Sequence, residues 1–390
     1  MCYTGTINLS SISGEIVVAK NDFLSLRLAG HKVFQYNLSN FNKGLFNKLL
    51  KPLRLFIFPY EIYYVRKKIK EINPDVIHLH TISPYISISL LIYLSILEIP
   101  VVQTLHNVRW VCLEGAYYRK GKYCNKCSGK NGFSGVVNMC NKNIARSLIL
   151  FFLNRVVRIN KFLFKSIKYF IPVSDFVRRE HVSNGFPDNK MVTKLNSIDL
   201  DNLKVFSTKN SMREGIIFSS RISKSKGSDI LKIVIKQIRD PIYVLGDGPE
   251  LVSLKKYCNN NHYNHVHFLG KVNQDKCMTY MASALCTVVP SQCGESFSLV
   301  AAESMSLGIP VIGSNIGGLG DLLRESGAGI AVNSSRSQEF IDAINTLKSD
   351  KVMYELFSKN GKKYAYSHLN LKKNSLALID IYKKAINNRV

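Results

Sequence analysis

Two glutamates eight residues apart in a loop of small residues are the first feature of the sequence that could do chemistry. The segment Pro290-Ser291-Gln292-Cys293-Gly294-Glu295-Ser296-Phe297-Ser298-Leu299-Val300-Ala301-Ala302-Glu303 reads as a strand ending at Val289, a loop, and a helix opening near Phe297. Ligands of open α/β sheets bind at strand carboxyl ends, and a helix N-terminus offers unpaired N–H groups to an anion. Glu295 then lies in the loop and Glu303 two turns into the helix, roughly a dozen ångströms apart by helix rise. That spacing suits a carboxylate at each end of a nucleotide sugar, one on sugar hydroxyls and one on a ribose diol. Two glutamates alone are more often a solvated helix face; the Gly-Glu-Ser-Phe context argues against it here.

Two further loops carry compatible chemistry. Ser219-Ser220-Arg221-Ile222-Ser223-Lys224-Ser225-Lys226-Gly227 follows a strand-like run, and its Arg221 and Lys226 can both reach a diphosphate, one as a fork and one as a point charge. Taken singly it is a basic surface loop in a basic protein. Tyr243-Val244-Leu245-Gly246-Asp247-Gly248-Pro249-Glu250-Leu251 is first of all a turn, but Gly246 and Gly248 also let a base or ribose approach the backbone. In the first half, Thr104-Leu105-His106 ends another apolar run; a lone histidine there is more often structural.

These loops need strands to hold them. Short apolar runs alternate with longer amphipathic stretches, the pattern of parallel α/β architecture. The strand candidates are Met1–Ile7 (weak), Lys32–Tyr36, Val76–His80, Val101–Leu105, Tyr169–Val173 and Met191–Leu195. After a polar linker, Asp199 to Glu214, come Gly215–Ser219, Pro241–Gly246, Val266–Leu269, Cys286–Pro290 and Pro310–Ser314. The tail, Leu371 to Asn387, reads as a helix. The expected division is an N-terminal Rossmann-like domain over 1–198 with a cysteine-containing insert at 107–146, a C-terminal domain over 199–368, and a last helix over 369–390 packing back on the first domain. The uncharged stretch Thr81–Leu97 is near membrane-span length, yet it lies between two strand candidates, so it reads as a buried crossover helix.

In order along the chain, Arg221…Lys226-Gly227, Gly246-Asp247-Gly248-Pro249-Glu250, Glu295-x7-Glu303 and Gly308-Ile309-Pro310-Val311-Ile312 resemble the donor-binding domain of the family-4 (group 1) retaining glycosyltransferases, among them bacterial surface-polysaccharide enzymes. The resemblance spans about residues 215–330. It implies an α/β GT-B fold, two doubly wound Rossmann-like domains facing across a cleft, and a UDP- or GDP-sugar donor. It implies contacts of Arg221 and Lys226 with the diphosphate, Glu303 with the ribose and Glu295 with the transferred sugar. The backbone of Gly294, Ser296, Phe297, Ser298, Leu299 and Val300 would cap the phosphates. Ser13-Gly14-Glu15 is similar to the family's opening glycine loop, making Gly14 a diphosphate contact, although the family usually shows a fuller glycine pair. His106 resembles the family's active-site histidine. Where the family often has Pro-Glu, this chain has Gly320-Asp321, and no role passes to Asp321.

Lys and Arg number 53 against 27 Asp and Glu among 390 residues, a net charge of +26 that favours anionic partners. Arg54-Leu55-Phe56-Ile57-Phe58-Pro59-Tyr60 leads into Arg66-Lys67-Lys68, and Leu148-Ile149-Leu150-Phe151-Phe152 into Arg155, Arg158, Lys161, Phe162, Phe164, Lys165 and Lys168. Such stretches suit an anionic membrane surface, or are ordinary core helices. The expectation is a cytoplasmic enzyme, peripheral on the inner face of the membrane, acting on a saccharide or lipid-linked saccharide acceptor. Nine cysteines without a secretory leader suggest a reducing compartment. Cys112, Cys124, Cys127 and Cys140 include one Cys-x2-Cys and are candidate ligands of a structural zinc, with free buried thiols the alternative. The chemistry expected of the family needs no cofactor. Two rivals remain open: a nucleotide-sugar epimerase, and a basic nucleic-acid-binding protein, for which no recognition module is found.

Overall fold

Runs such as Val101–Leu105 and Ile216–Ser219 are covered on both faces of the pleat, the pattern of parallel strands buried on both sides. The computed structural model describes residues 2–4, 14–37, 59–80, 87–129, 132–141, 143–159, 167–206 and 213–388. The chain divides into two compact units, residues 1–117, 125–197 and 371–390 in one and residues 118–124 and 198–370 in the other.

The first unit holds β1 (Cys2–Thr4), β2 (Gln35–Asn37), β3 (Ile77–His80) and β4 (Val101–Leu105). A small antiparallel hairpin, β5 (Tyr118–Arg119) with β6 (Lys122–Tyr123), interrupts the chain before β7 (Ile167–Pro172). The parallel sheet runs β2-β1-β3-β4-β7, a doubly wound order that reverses direction between β1 and β3. Strands β3 and β4 pair in register from Ile77↔Val101 to His80↔Thr104. The C-terminal helix, Leu371–Asn387, completes this core: Leu378, Ile381 and Ala385 pack with Leu26, Val76, Val102 and Ile171. Beneath the helix Gly14–Leu28 lies a buried ion pair, Lys194 Nζ to Asp22 Oδ1 at 3.0 Å, its side chains 5% and 3% exposed.

In the second unit β8 (Ile216–Ser219), β9 (Ile242–Leu245), β10 (Val266–Gly270), β11 (Cys286–Val289), β12 (Val311–Ser314) and β13 (Gly329–Val332) form one parallel sheet. Its order, β10-β9-β8-β11-β12-β13, is that of a Rossmann sheet, and it reverses between β8 and β11. Ile216, Phe218, Val244, Val288 and Ile312 from the strands pack against Leu231, Val234, Phe340 and Ile344 from the helices.

Several elements differ from the sequence reading. Met191–Leu195 makes one bridge to Phe170 and is no strand, although Val192 and Lys194 donate their N–H groups to Phe170 and Pro172 along the edge of β7. Strand β13 went unread because its Gly329-Ile330-Ala331-Val332 is short and starts on glycine. The glycine is needed, since a Cβ there would sit 1.9 Å from the Val311 carbonyl oxygen of β12. Within Thr81–Leu97 the helix covers Ile88–Ser95, and residues 81–86 lie outside the described set. No helix among the described residues is long and apolar enough to cross a membrane. Part of the linker is helical, over Leu200–Leu203. Residues 5–7 of the expected first strand, Arg54–Phe58, and Lys161, Phe162, Phe164 and Lys165 lie outside the described residues.

Removing one member of a buried ion pair strands the other charge, at a cost of about 3–5 kcal/mol, whereas an apolar pair of similar volume is near neutral. Asp22→Ala is therefore expected to lose that much in urea unfolding, and Asp22→Leu with Lys194→Met much less.

Candidate active site

The reversal between β8 and β11 leaves a crevice at their carboxyl ends, and the chain fills it with the loops singled out by sequence. After β8 comes Ser220–Gly227, and after β11 comes Pro290–Ser298. Gly227 adopts φ +82°, and a Cβ on it would stand 2.0 Å from the Pro290 carbonyl oxygen. Only glycine allows the two loops to lie this close, and the Gln292 N–H donates to the Ser225 carbonyl at 2.9 Å across the same seam.

That approach places Lys226 Nζ 2.7 Å from Glu295 Oε1. Burial disfavours the charge on each, but the opposite charge more than offsets it: Lys226 is held above the usual lysine range and Glu295 below the usual carboxylate range. Hydrogen bonds from Ser291 and Ser298 help to keep Glu295 ionised. Both groups are thus charged, and Glu295 is only 8% exposed. Arg221, by contrast, is exposed and makes no ion pair among the described residues.

The third loop explains its glycines differently from the sequence reading. A Cβ on Gly246 would lie 2.0 Å from the Ser220 carbonyl oxygen, and one on Gly248 2.3 Å from that of Ile222. The N–H of Ile222 donates to Asp247 and that of Glu250 to Ile222, at 2.9 and 3.0 Å. These glycines let the 246–250 turn zip against the 220–222 loop, so packing already requires them.

The helix after the β11 loop spans Leu299–Ser306, two residues later than read from sequence. Ser298 is its N-cap, its hydroxyl accepting from the Ala301 N–H, so Phe297 precedes the helix. Glu303 is consequently about one turn in, not two. Gln274 Nε2, at the start of the helix Gln274–Ser283, donates to Glu303 Oε1 at 3.2 Å. Burial pushes the Glu303 carboxyl up to about 7, with the Gln274 hydrogen bond pulling weakly the other way. Gly317 and Gly318 close the loop from the far side. The Gly318 N–H donates to the Glu295 carbonyl at 2.6 Å, and a Cβ on Gly318 would meet the Ser296 carbonyl oxygen at 2.1 Å.

In the first unit, His106 stands just past β4, 7% exposed, and burial lowers its pKa despite the carboxylates of Glu15 and Asp22. Glu15 accepts from the Asn107 side chain at 2.6 Å. Gly14 is the first residue of its helix, and the loop before it, residues 5–13, lies outside the described residues. Sequence reasoning missed Ser291 and Gln274, whose signal lay only in being polar residues next to element ends. It also missed His78 and His80, marked by a His-x-His in a buried strand. Among the described residues no group of three or more His, Cys, Asp or Glu is placed to hold a metal, and a zinc at Cys112, Cys124, Cys127 and Cys140 stays an expectation of the sequence.

The family described as Glycosyltransferase Family 4 matches residues 41–202, and that described as Glycosyl transferases group 1 matches residues 200–364. The chain belongs to the family-4, group 1 glycosyltransferases. An uncharacterized glycosyltransferase of Methanocaldococcus jannaschii is 28% identical over 149 residues, a stretch covering 38% of this chain and 42% of that protein. Among solved structures, Anabaena HepE in complex with UDP superposes with a TM-score of 0.68 at 16% identity, covering 98% of this chain and 99% of its own. WaaG, a glycosyltransferase involved in lipopolysaccharide biosynthesis, superposes at 0.64 with 12% identity, covering 98% and 99%. Those likenesses establish the GT-B glycosyltransferase fold across nearly the whole chain.

A carboxyl group whose folded pKa is raised favours the protonated folded state, so its stabilising effect is complete below the unfolded pKa and is lost as pH rises through the folded one. For Glu303 that window runs from the ordinary value of 4.5 up through about 7. Melting temperature measured across this window in ligand-free protein is expected to fall less steeply in Glu303→Gln than in the parent.

Proposed function

We propose that this glycosyltransferase moves a sugar from a UDP- or GDP-sugar to a saccharide acceptor with retention of anomeric configuration. The observation that carries this reading is the assembly at the β8/β11 reversal: a charged Lys226–Glu295 pair at 2.7 Å, an exposed Arg221, and Glu303 on the adjoining helix. Arg221 and Lys226 take the diphosphate, and the backbone N–H groups at the start of the Leu299–Ser306 helix add their partial positive charge to the leaving group. Glu295, sharing Lys226 with the phosphate once it arrives, accepts from hydroxyls of the transferred sugar. Glu303 accepts from the ribose diol. His106 takes the part of the family's active-site histidine, and the acceptor oxygen attacks from the face the diphosphate leaves.

The acceptor we favour is a lipid-linked saccharide of cell-surface polysaccharide assembly, reached at an anionic membrane surface. The first unit supports this with two exposed faces. On the helix Pro59–Ile72, Tyr60 and Tyr63 are exposed beside Arg66, Lys67 and Lys70. On the helix Ile144–Ile159, Phe152 and Val156 are exposed one turn apart with Arg155 between them. Aromatic and basic residues sharing a helix face suit a headgroup layer. Flotation with phosphatidylglycerol vesicles should carry the protein, and Phe152→Ser with Val156→Ser should reduce the bound fraction; failure of the parent protein to float at low salt would remove this part.

Donor binding is tested by melting the protein with UDP, GDP and their glucose conjugates. A ligand at about 100 times its Kd adds roughly 2.7 kcal/mol, and Glu303→Ala should abolish that gain. In a transfer assay, Arg221→Ala or Glu303→Ala is expected to lower the rate by roughly 10²–10³, as for loss of one transition-state contact. Near-parental rates in both would refute the site assignment.

A further inference from the structure

Three buried imidazoles meet at the carboxyl ends of β3 and β4. His78 and His80 point to the same face of β3, as residues two apart in a strand must, and their ring centroids are 4.1 Å apart. His78 is held at both nitrogens, Nδ1 by the Tyr382 hydroxyl and Nε2 by the Thr104 hydroxyl, each at 2.7 Å. His80 rests on this anchored ring and reaches forward, its Nδ1 standing 2.9 Å from His106 Nε2. His80 is 2% exposed, and its Nε2 has no hydrogen-bond partner among the described residues.

One proton lies between the two rings, so one nitrogen donates and the other accepts. Burial keeps all three histidines below the usual imidazole range, so each is neutral with a single N–H. Were His106 the donor, His80 would carry its proton on Nε2, and a buried N–H without an acceptor keeps the full cost of its lost hydration. With His80 as donor, only a bare lone pair is left at Nε2, and orphaned acceptors are tolerated more often than orphaned N–H groups. We infer that His80 is a positioning residue that donates from Nδ1 to His106 Nε2 and so fixes His106 as the Nδ1–H tautomer. His106 then meets a ligand as a hydrogen-bond donor to a lone pair, such as a sugar oxygen, and does not act as a general base. The anchored His78 ring, braced by Tyr382 from the C-terminal helix, sets the plane of His80.

The consequence for transfer rests on the proposed function; the tautomer does not. Long-range proton–nitrogen correlation on histidine-labelled, ligand-free protein should show His106 protonated on Nδ1. It should show that single tautomer lost in His80→Phe and kept in His80→Asn, whose amide N–H replaces the donor. Protonation of His106 on Nε2 in the parent, or an unchanged His106 in His80→Phe, overturns the inference. With UDP-glucose as the probe, His80→Phe is expected to lower kcat on the order of tenfold to a hundredfold with little change in KM, and His80→Asn to recover most of it. If His106→Ala turns over UDP-glucose at the parental rate while the tautomer stands, it is the role given to His106 in transfer that fails, not the pairing.

Discussion

The close seam between the loops after β8 and β11 is the constraint on which the second unit's site depends. Gly227 lies against the Pro290 carbonyl at a distance no other residue could adopt, and Lys226 and Glu295 are brought together as a result. Each of those groups is costly to bury alone, and each keeps its charge because the other is there. The loops on either side are fastened to the same seam, the 246–250 turn through Ile222 and the 317–318 turn through Glu295 and Ser296. Preorganised charge of this kind needs little rearrangement when an anion arrives.

A second theme is the use of topology to place chemistry. Each sheet reverses its winding once, and in the second unit both strands flanking the reversal end in a loop bearing a cation or a carboxylate. Glu303 then follows about one turn into the next helix, where burial outweighs its hydrogen bond in governing its proton. In the first unit the ends of β3 and β4 carry imidazoles instead, kept neutral by the same exclusion of water.

Much of this was legible in the residues, and what was not has a physical reason. The runs Val101–Leu105 and Leu371–Asn387 coincide with their elements because a short β-branched run and an amphipathic helix leave little choice of type. Met191–Leu195 has strand-like composition, but it meets β7 through alternate donors only, and no propensity separates that from a ladder. The helix after β11 was set two residues early because Phe297 looks like a first apolar position, whereas Ser298 has the hydroxyl that caps. The glycines of the 246–250 turn were legible as glycines, but their partner carbonyls are some 26 residues upstream in sequence, and spacing within one loop says nothing about them. His80 was invisible as a partner for His106 because strand register, not sequence distance, makes them neighbours.

The C-terminal helix also has a bearing on biogenesis. Leu378, Ile381 and Ala385 belong to the same core as Leu26 and Val102, yet they leave the ribosome only after every strand of the second unit. During synthesis the first unit therefore waits with an open apolar flank while the second, contiguous from β8 to β13, can already fold. The first unit's core closes only when the last helix of the chain is in place.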